Sequence, residues 1–415
     1  MMSSEQTPQH QNSAPRARSE RDLIRQIALL SFAAFAASGA ARITDPLLPQ
    51  LADAFAISAG QAAQTVSGFA LAYGLLQLLY GPLGDRFGKY RVISYAMLAS
   101  MVGAVGTAMA ESFSMLMLFR ILTGATAAAA VPLSMAWIAD NVPYERRQPV
   151  LAYFLIGQIF GIISGQLFGG LFADLTGWRG AFWFMLVAFG VVGMLLVSEL
   201  KRSPDIDSAA ESPHPGLSSM QRFKAVLSTR WARIILIGVC LEGACVFGGL
   251  AYVPTYLHTR FGISLTLAGG LMAVFGLGGL SYALFAKHFV GKLGERGLAI
   301  AGGFSLGLAY LFFIFAPHWL WALPGAFCAG IGYYMIHNTF QLNATQMAPA
   351  HRGTAVALFA SLFFFGQSGG VALNALVIDH IGFTLALAIP AAALPVIGLI
   401  FATLLGRKAA QAAAS

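Results

Sequence analysis

Twelve long apolar runs constrain this chain more than any other feature of its sequence. They cover residues 27–49, 62–84, 92–110, 114–138, 150–173 and 179–199, and then 231–257, 265–288, 298–316, 320–343, 354–377 and 382–405. Each is close to the roughly 20 residues that an α-helix needs to cross the hydrocarbon of a bilayer. A backbone surrounded by lipid must satisfy its own N–H and C=O groups, which leaves helices and closed barrels. A barrel would show short segments of alternating polarity, and these runs are continuous. The predicted fold class is therefore all-α integral membrane, with twelve transmembrane helices. The 415 residues are 57% hydrophobic and 10% charged, whereas a soluble domain carries about 25% charged residues. Cys240, Cys245 and Cys328 all lie in apolar runs and read as packing residues, not as a disulfide framework.

The stretches between the runs set the organisation. Residues 1–22 are polar and read as a disordered tail, with no secretory signal. Residues 200–230 are rich in proline, serine and charge, and read as a linker ending in a short amphipathic helix. They separate a first six-helix bundle, 23–199, from a second, 231–405, with a tail at 406–415. Basic residues orient the whole. With the N-terminus in the cytoplasm, 21 of the 25 Lys and Arg fall on the cytoplasmic side, and only Arg179 and Arg260 on the other. Cytoplasmic loops are enriched in Lys and Arg, so both termini are expected inside, in a bacterial inner membrane. The same placement accounts for the net charge of +8 without nucleic acid.

An internal repeat divides the twelve spans. Pro143 and Pro349, Arg146 and Arg352, Gly124 and Gly330, and Gly88 and Gly294 are pairs at a common offset of 206 residues, at equivalent topological places. Such a duplication implies two parallel six-helix halves related by an axis along the membrane normal.

The loop after the second span reads Gly81-Pro-Leu-Gly-Asp85-Arg86-Phe-Gly88-Lys89-Tyr-Arg91. It resembles the signature loop of the major facilitator superfamily, G-x-L-a-D-R-x-G-R-K. Gly81 would let the second helix approach a neighbour closely. Asp85 could accept hydrogen bonds from a helix N-terminus or pair with an arginine. The resemblance implies a loop that latches the two halves together in the outward-facing state. Its counterpart has Gly291 where Asp85 would be, so the latch is expected to be asymmetric.

Further stretches resemble twelve-span drug:proton antiporters. Arg120 and Gly124 match R-x-x-x-G in the fourth helix, and Asp45-Pro46 with Pro49 match a D-x-x-x-P element in the first. Gly161, Gly165, Gly169 and Gly170 match the fifth-helix motif G-x-x-x-G-P-x-x-G-G, with Gln166 where proline is expected and Ala152 where an upstream glycine is expected.

Ionisable groups within spans are costly, at about 2.5–3.5 kcal/mol on insertion scales. Arg42 and Asp45, three apart, share a helix face. They read either as a self-neutralising pair or as a site where Asp45 takes up and releases a proton beside Arg42. Glu242 lies near the bilayer midplane, with no basic residue within four positions. It reads as a proton carrier, as a contact for a cationic substrate, or as a neutral acid bonded to a backbone carbonyl. Arg120, by resemblance, faces the interior of the first half and biases a nearby carboxyl group, or it pairs with Asp45. His337, Asn338 and Gln341 share a face expected to line the inner half of a central cavity, where His337 could equally be a packing residue. No metal-ligand cluster is apparent.

No Ser/His/Asp set and no phosphate-cradling loop occurs, so the chain reads as a non-enzymatic transporter driven by an ion gradient, with no cofactor. Proton-coupled efflux of a small drug-like or metabolite molecule by alternating access is the expectation, from a monomer in the lipid bilayer. A proton-coupled importer and a non-transporting sensor or accessory protein on the same fold are the alternatives.

Overall fold

The computed structural model describes residues 20–207 and 219–414, and every regular element among them is helical. In chain order the first-half spans are α1 (Glu20–Phe55), α2 (Ala59–Phe87), α3 (Lys89–Ala108), α4 (Phe113–Asn141), α5 (Tyr144–Thr176) and α6 (Trp178–Arg202). A short helix, Ser219–Ser228, lies in the linker. The second half has α7 (Arg230–Phe261), then a helix of 51 residues, Leu265–Phe315, followed by α10 (Trp319–Gln346), α11 (Pro349–His380) and α12 (Phe383–Ala414).

Among the described residues, eleven helices are long and apolar enough to cross a membrane, one fewer than the runs in the sequence. The 51-residue helix accounts for the difference. At about 1.5 Å per residue it is more than twice the length needed for a hydrocarbon core of about 30 Å. Gly294 interrupts it with φ 59° and ψ −179°, so α8 (265–293) and α9 (295–315) are two spans joined without a loop. Gly88, its counterpart 206 residues earlier, joins α2 to α3 with φ 93°. The C-terminal tail expected from 406 is instead the continuation of α12 to Ala414. Most of the N-terminal tail, and linker residues 208–218, lie outside the described residues.

Small residues bring the helices together. Gly157, Gly161, Gly165 and Gly169 recur every four positions along α5. A Cβ at each would run into the main chain of α1 at Ser31, Phe35, Gly39 and Ile43, which also recur every four. The spacing keeps each set on one helix face, and the absent side chains permit the close backbone approach common in membranes. The second half repeats the device. Gly366 and Gly370 of α11 face the carbonyls of Cys240 and Ala244 on α7, each pair offset by 205 residues from its first-half equivalent. Likewise Gly124 of α4 faces the Phe69 carbonyl of α2, and Gly330 of α10 faces that of Phe275 on α8, at an offset of 206. Each half is built largely around its own apolar core.

The halves meet along α2 with α11 and α5 with α8. Starting at the face opposite the chain ends, Asp379 caps the first turn of α2 and Asp174 the first turn of α8. Deeper, Ser67 bonds Ser368 at 2.9 Å, and the Ser361 hydroxyl donates to the Gly74 carbonyl at 2.7 Å. Gly269 and Gly276 of α8 face Gln166 and Ile163 of α5. The molecule is closed on the far face.

Candidate functional site: buried charge between the halves

The first helix of α1 ends at Arg42, and Asp45-Pro46 opens a 3-10 turn before helix resumes at Leu48. Proline has no N–H to continue an α-helical ladder but is tolerated in a first turn. Both charged residues are buried, Arg42 at 5% and Asp45 at 1% exposure. The pairing expected from their spacing is present but long, with Arg42 Nη1 3.8 Å from Asp45 Oδ2. The nearer partner of Asp45 is Gln166 of α5, whose Nε2 donates to Oδ2 at 2.9 Å. The residue that departs from the antiporter-like motif is therefore a ligand of the buried carboxylate. Proline at that position could supply no such donor.

Arg42 reaches across the division of the molecule. Its Nη2 donates to Gln367 Oε1 of α11 at 3.2 Å, and its guanidinium carbon lies 3.8 Å from the ring centroid of Phe247 on α7. Arg42, Asp45, Gln166, Phe247 and Phe275 line a void of only about 10 Å³, enough for about one water. This layer seals the centre below the far face.

Arg120 does not pair with Asp45. Its Nη2 donates to the Ala40 carbonyl of α1 at 3.2 Å, and its guanidinium stacks over Phe69 with its carbon 4.5 Å from the ring centroid. That carbonyl lies five residues short of Asp45 along α1, and the stacking holds the guanidinium there. Arg120 thus ties α4 to the main chain just before the break in α1.

Glu242 is fully buried, and it is paired. His337 Nδ1 of α10 lies 3.0 Å from Glu242 Oε2. A search along the same helix could not find this partner, because it is 95 residues away on a helix brought alongside by the fold. His337 also stacks on Tyr333, with centroids 4.8 Å apart, and contacts Phe359 and Phe363. The polar face expected on α10 is therefore divided. His337 turns to α7, while Asn338 faces the Tyr282 hydroxyl of α8; Gln341 is half-buried one turn on. Asp45 Oδ1 and Glu242 Oε1 each lack a hydrogen-bond partner among the described residues.

At the other end, the loop from Gly81 to Arg91 packs on its own half. Asp85 is exposed and pairs with Lys89 at 3.2 Å, and Lys89 also pairs with Asp140 at 2.8 Å. The pairing with lysine stands in place of the helix N-terminus or arginine expected for Asp85, and the start of α3 is capped by Asp207 from the linker, which accepts from the N–H groups of Tyr90 and Arg91. Gly88 is needed twice here, for its positive φ and because a Cβ would collide with Asp207. Arg86 is exposed, over the ring of Phe87. Gly81 faces open space, so the close approach expected of it is not made in this conformation. Gly170, turned about 100° from Gly169 on α5, packs against Leu265 of the second half.

Sequence reasoning missed Gln367, Phe247 and Asp207, and the far-face pair Asp174 and Asp379. The offset of 205 relates both Asp174 to Asp379 and Arg42 to Phe247. The offset of 206 pairs Asp174 with His380, so only a search at 205 as well would have singled out the aspartates.

Two equivalent six-helix bundles, with charge buried where they meet, define a polytopic membrane protein with a pathway between its halves. The comparisons agree. A model of the Major Facilitator Superfamily matches residues 30–371. The uncharacterised MFS-type transporter YceJ of Bacillus subtilis is 26% identical over 335 residues, covering 80% of this chain and 83% of its own. The efflux pump radE of Floropilus chiversii is 22% identical, covering 81% and 72%. The xylose transporter XylE from E. coli, in a partially occluded inward open conformation, superposes with a TM-score of 0.71 at 16% identity, covering 92% of this chain and 97% of its own. The chain belongs to the major facilitator superfamily: it is a multi-pass membrane transporter, not an enzyme.

Proposed function

We propose that this transporter couples export of a small drug-like or metabolite molecule to proton entry, by alternating access. The reading rests on one observation above the others: two carboxylates are buried at membrane depth, Asp45 in the layer where the halves join and Glu242 within the second half, and each is held by a partner that leaves one oxygen free. A carboxylate in such a place is a functional site by default. Asp45 sits in the sealed layer under the far face, and Glu242 deeper, among the aromatic rings of Tyr333 and Phe363 around His337. Protonation of either group would loosen its bond to Gln166 or His337 and change the packing of α5 on α1, or of α10 on α7.

In this reading the basic loops face the cytoplasm, both chain ends lie inside a bacterial inner membrane, the protein acts as a monomer, and the described conformation is inward-facing. The motif around Arg120, the glycine seam of α5 and the likeness to a named efflux pump favour export. A proton-coupled importer remains the second reading, favoured by the Asp45–Gln166 bond, which takes the place of the antiporter-type proline.

The deciding experiment reconstitutes the protein in liposomes. Substrate-driven proton movement should disappear in the variant carrying Asp45→Asn and Glu242→Gln. Its persistence would reject these residues as the coupling groups. Cells expressing the wild type should shed the substrate; accumulation would reject export.

A further inference from the structure

We infer that Asp174 and Asp379 are gate residues of the transport cycle: a symmetry-related pair of clamps, each from the end of one half, that hold the far face shut by capping a helix of the other half. The inference rests on the alternating-access reading above and assigns residues to the outer gate.

Asp174 lies near the end of α5. Its carboxylate accepts from the N–H of Leu265 at 3.3 Å, the N–H of Thr266 at 2.7 Å and the hydroxyl of Thr266 at 2.6 Å, all at the start of α8. Asp379 lies near the end of α11. It accepts from the hydroxyl of Ser58 at 2.6 Å and the N–H of Gly60 at 3.1 Å, at the start of α2. The aspartates are equivalent at an offset of 205. The capped turns are equivalent at 206, where Ser58 matches Ser264 and Gly60 matches Thr266. Two features argue against a chance pair of helix caps. Each capped helix already has its own cap, since Ser264 Oγ accepts from Leu267 N–H and Ser58 Oγ from Gln61 N–H. The aspartates therefore take up donors that a locally capped helix leaves over. Each bond also crosses from one half to the other.

The chemistry suits a gate. A carboxylate at a helix N-terminus gains both charge-assisted hydrogen bonds and the favourable end of the helix dipole. Both aspartates are exposed, so when the far face opens, water replaces the lost partner for carboxylate and N–H alike. The clamp thus holds without trapping the protein in one state. Gly60 is part of the device: a Cβ there would stand 2.5 Å from Asp379 Oδ2.

The test measures the distance across the far face by pulsed electron spin resonance. Labels go on Met109→Cys and Phe315→Cys, two exposed sites at equivalent span ends, in a background with Cys240, Cys245 and Cys328 replaced by serine. The wild type should show a dominant short distance and a minor long one. Asp174→Ala and Asp379→Ala should each raise the long-to-short ratio about two- to thirty-fold, the range for losing a helix cap, and the double variant by about the product. Gly60→Ala should also raise the ratio, although alanine favours helix. A merely structural capping role predicts a lower melting temperature without opening, so an unchanged ratio in the folded double variant would overturn the clamp. If the wild type showed a single distance at every pH and substrate condition, the alternating-access reading would fail and the clamp with it.

Discussion

Arg42 and Phe247 occupy equivalent positions in the two halves and meet face to face, guanidinium over ring, where the halves join. The repeat places them at the same height and on the same side of their helices, so the pseudo-symmetry axis passes between them. A cation over an aromatic face is worth about 0.5–2 kcal/mol, most when desolvated, and this one is buried. Phe247→Leu stays apolar but loses the ring. It should raise the open fraction of the far face about 2- to 30-fold, read by the same distance measurement, and lower the melting temperature as well, because the ring also packs edge-on against Phe275, Tyr333 and Phe363.

The bond between Gln166 and Asp45 should be energetically coupled. Gln166→Leu leaves Asp45 Oδ2 without its nearest donor, a loss worth about 1–3 kcal/mol for a buried polar group. Asp45→Asn removes the charge from the same contact. The two changes together should cost less than their sum, by about 1 kcal/mol or more, in thermal unfolding in detergent. Strict additivity would mean that the bond contributes nothing.

Glu242 and His337 should behave as one unit in transport. Glu242→Gln and His337→Gln should each abolish uphill, proton-driven movement, and the double variant should be no worse than either single. Exchange of substrate down its own gradient should survive, because alternation is then not paced by protons. Survival of proton-driven transport in both single variants would remove this pair from the mechanism.

The two classes of glycine should separate in a stability assay. Gly161→Val and Gly165→Val drive a side chain into the α1 main chain and should cost about 1–3 kcal/mol or more, or prevent accumulation, as overpacking does. Gly81→Val meets open space, so folded protein should accumulate normally. If Gly81 closes against a neighbour when the near face shuts, transport alone should fall.

Asp207→Ala should cost about 1 kcal/mol of stability, the worth of a typical helix cap, because the start of α3 loses its acceptor. Gly88→Ala should cost more, since it adds both a positive-φ penalty and a collision with Asp207. The comparison is a pair of melting curves.

The scaffold was largely legible in the sequence because its rules are local and periodic. Hydropathy alone delimits α1 to α12, even across the kink at Gly294, and the four-residue glycine spacing of α5 announces a packed seam. The pairings were less legible. Glu242 and His337 meet only through the relative rotation and depth of α7 and α10, which periodicity within one helix does not specify. Gln166 read as an anomaly because its significance lies in a partner 121 residues away. Asp174 and Asp379 sit at span ends, where a charge usually means solvent.

The two offsets carry a last consequence. The repeat runs at 205 residues between α1 and α7, returns to 206 from Ser58 through Arg146, and falls back to 205 by Gly161. One residue has therefore been gained and one lost, within 43–57 and 147–160, while every packed seam kept its register. A slip of one residue turns a helix face by about 100°, enough to swing a glycine row off its partner. Those two stretches are accordingly where this architecture tolerates a change of length, and where the boundaries of a chimera between its halves, or with a relative's, belong.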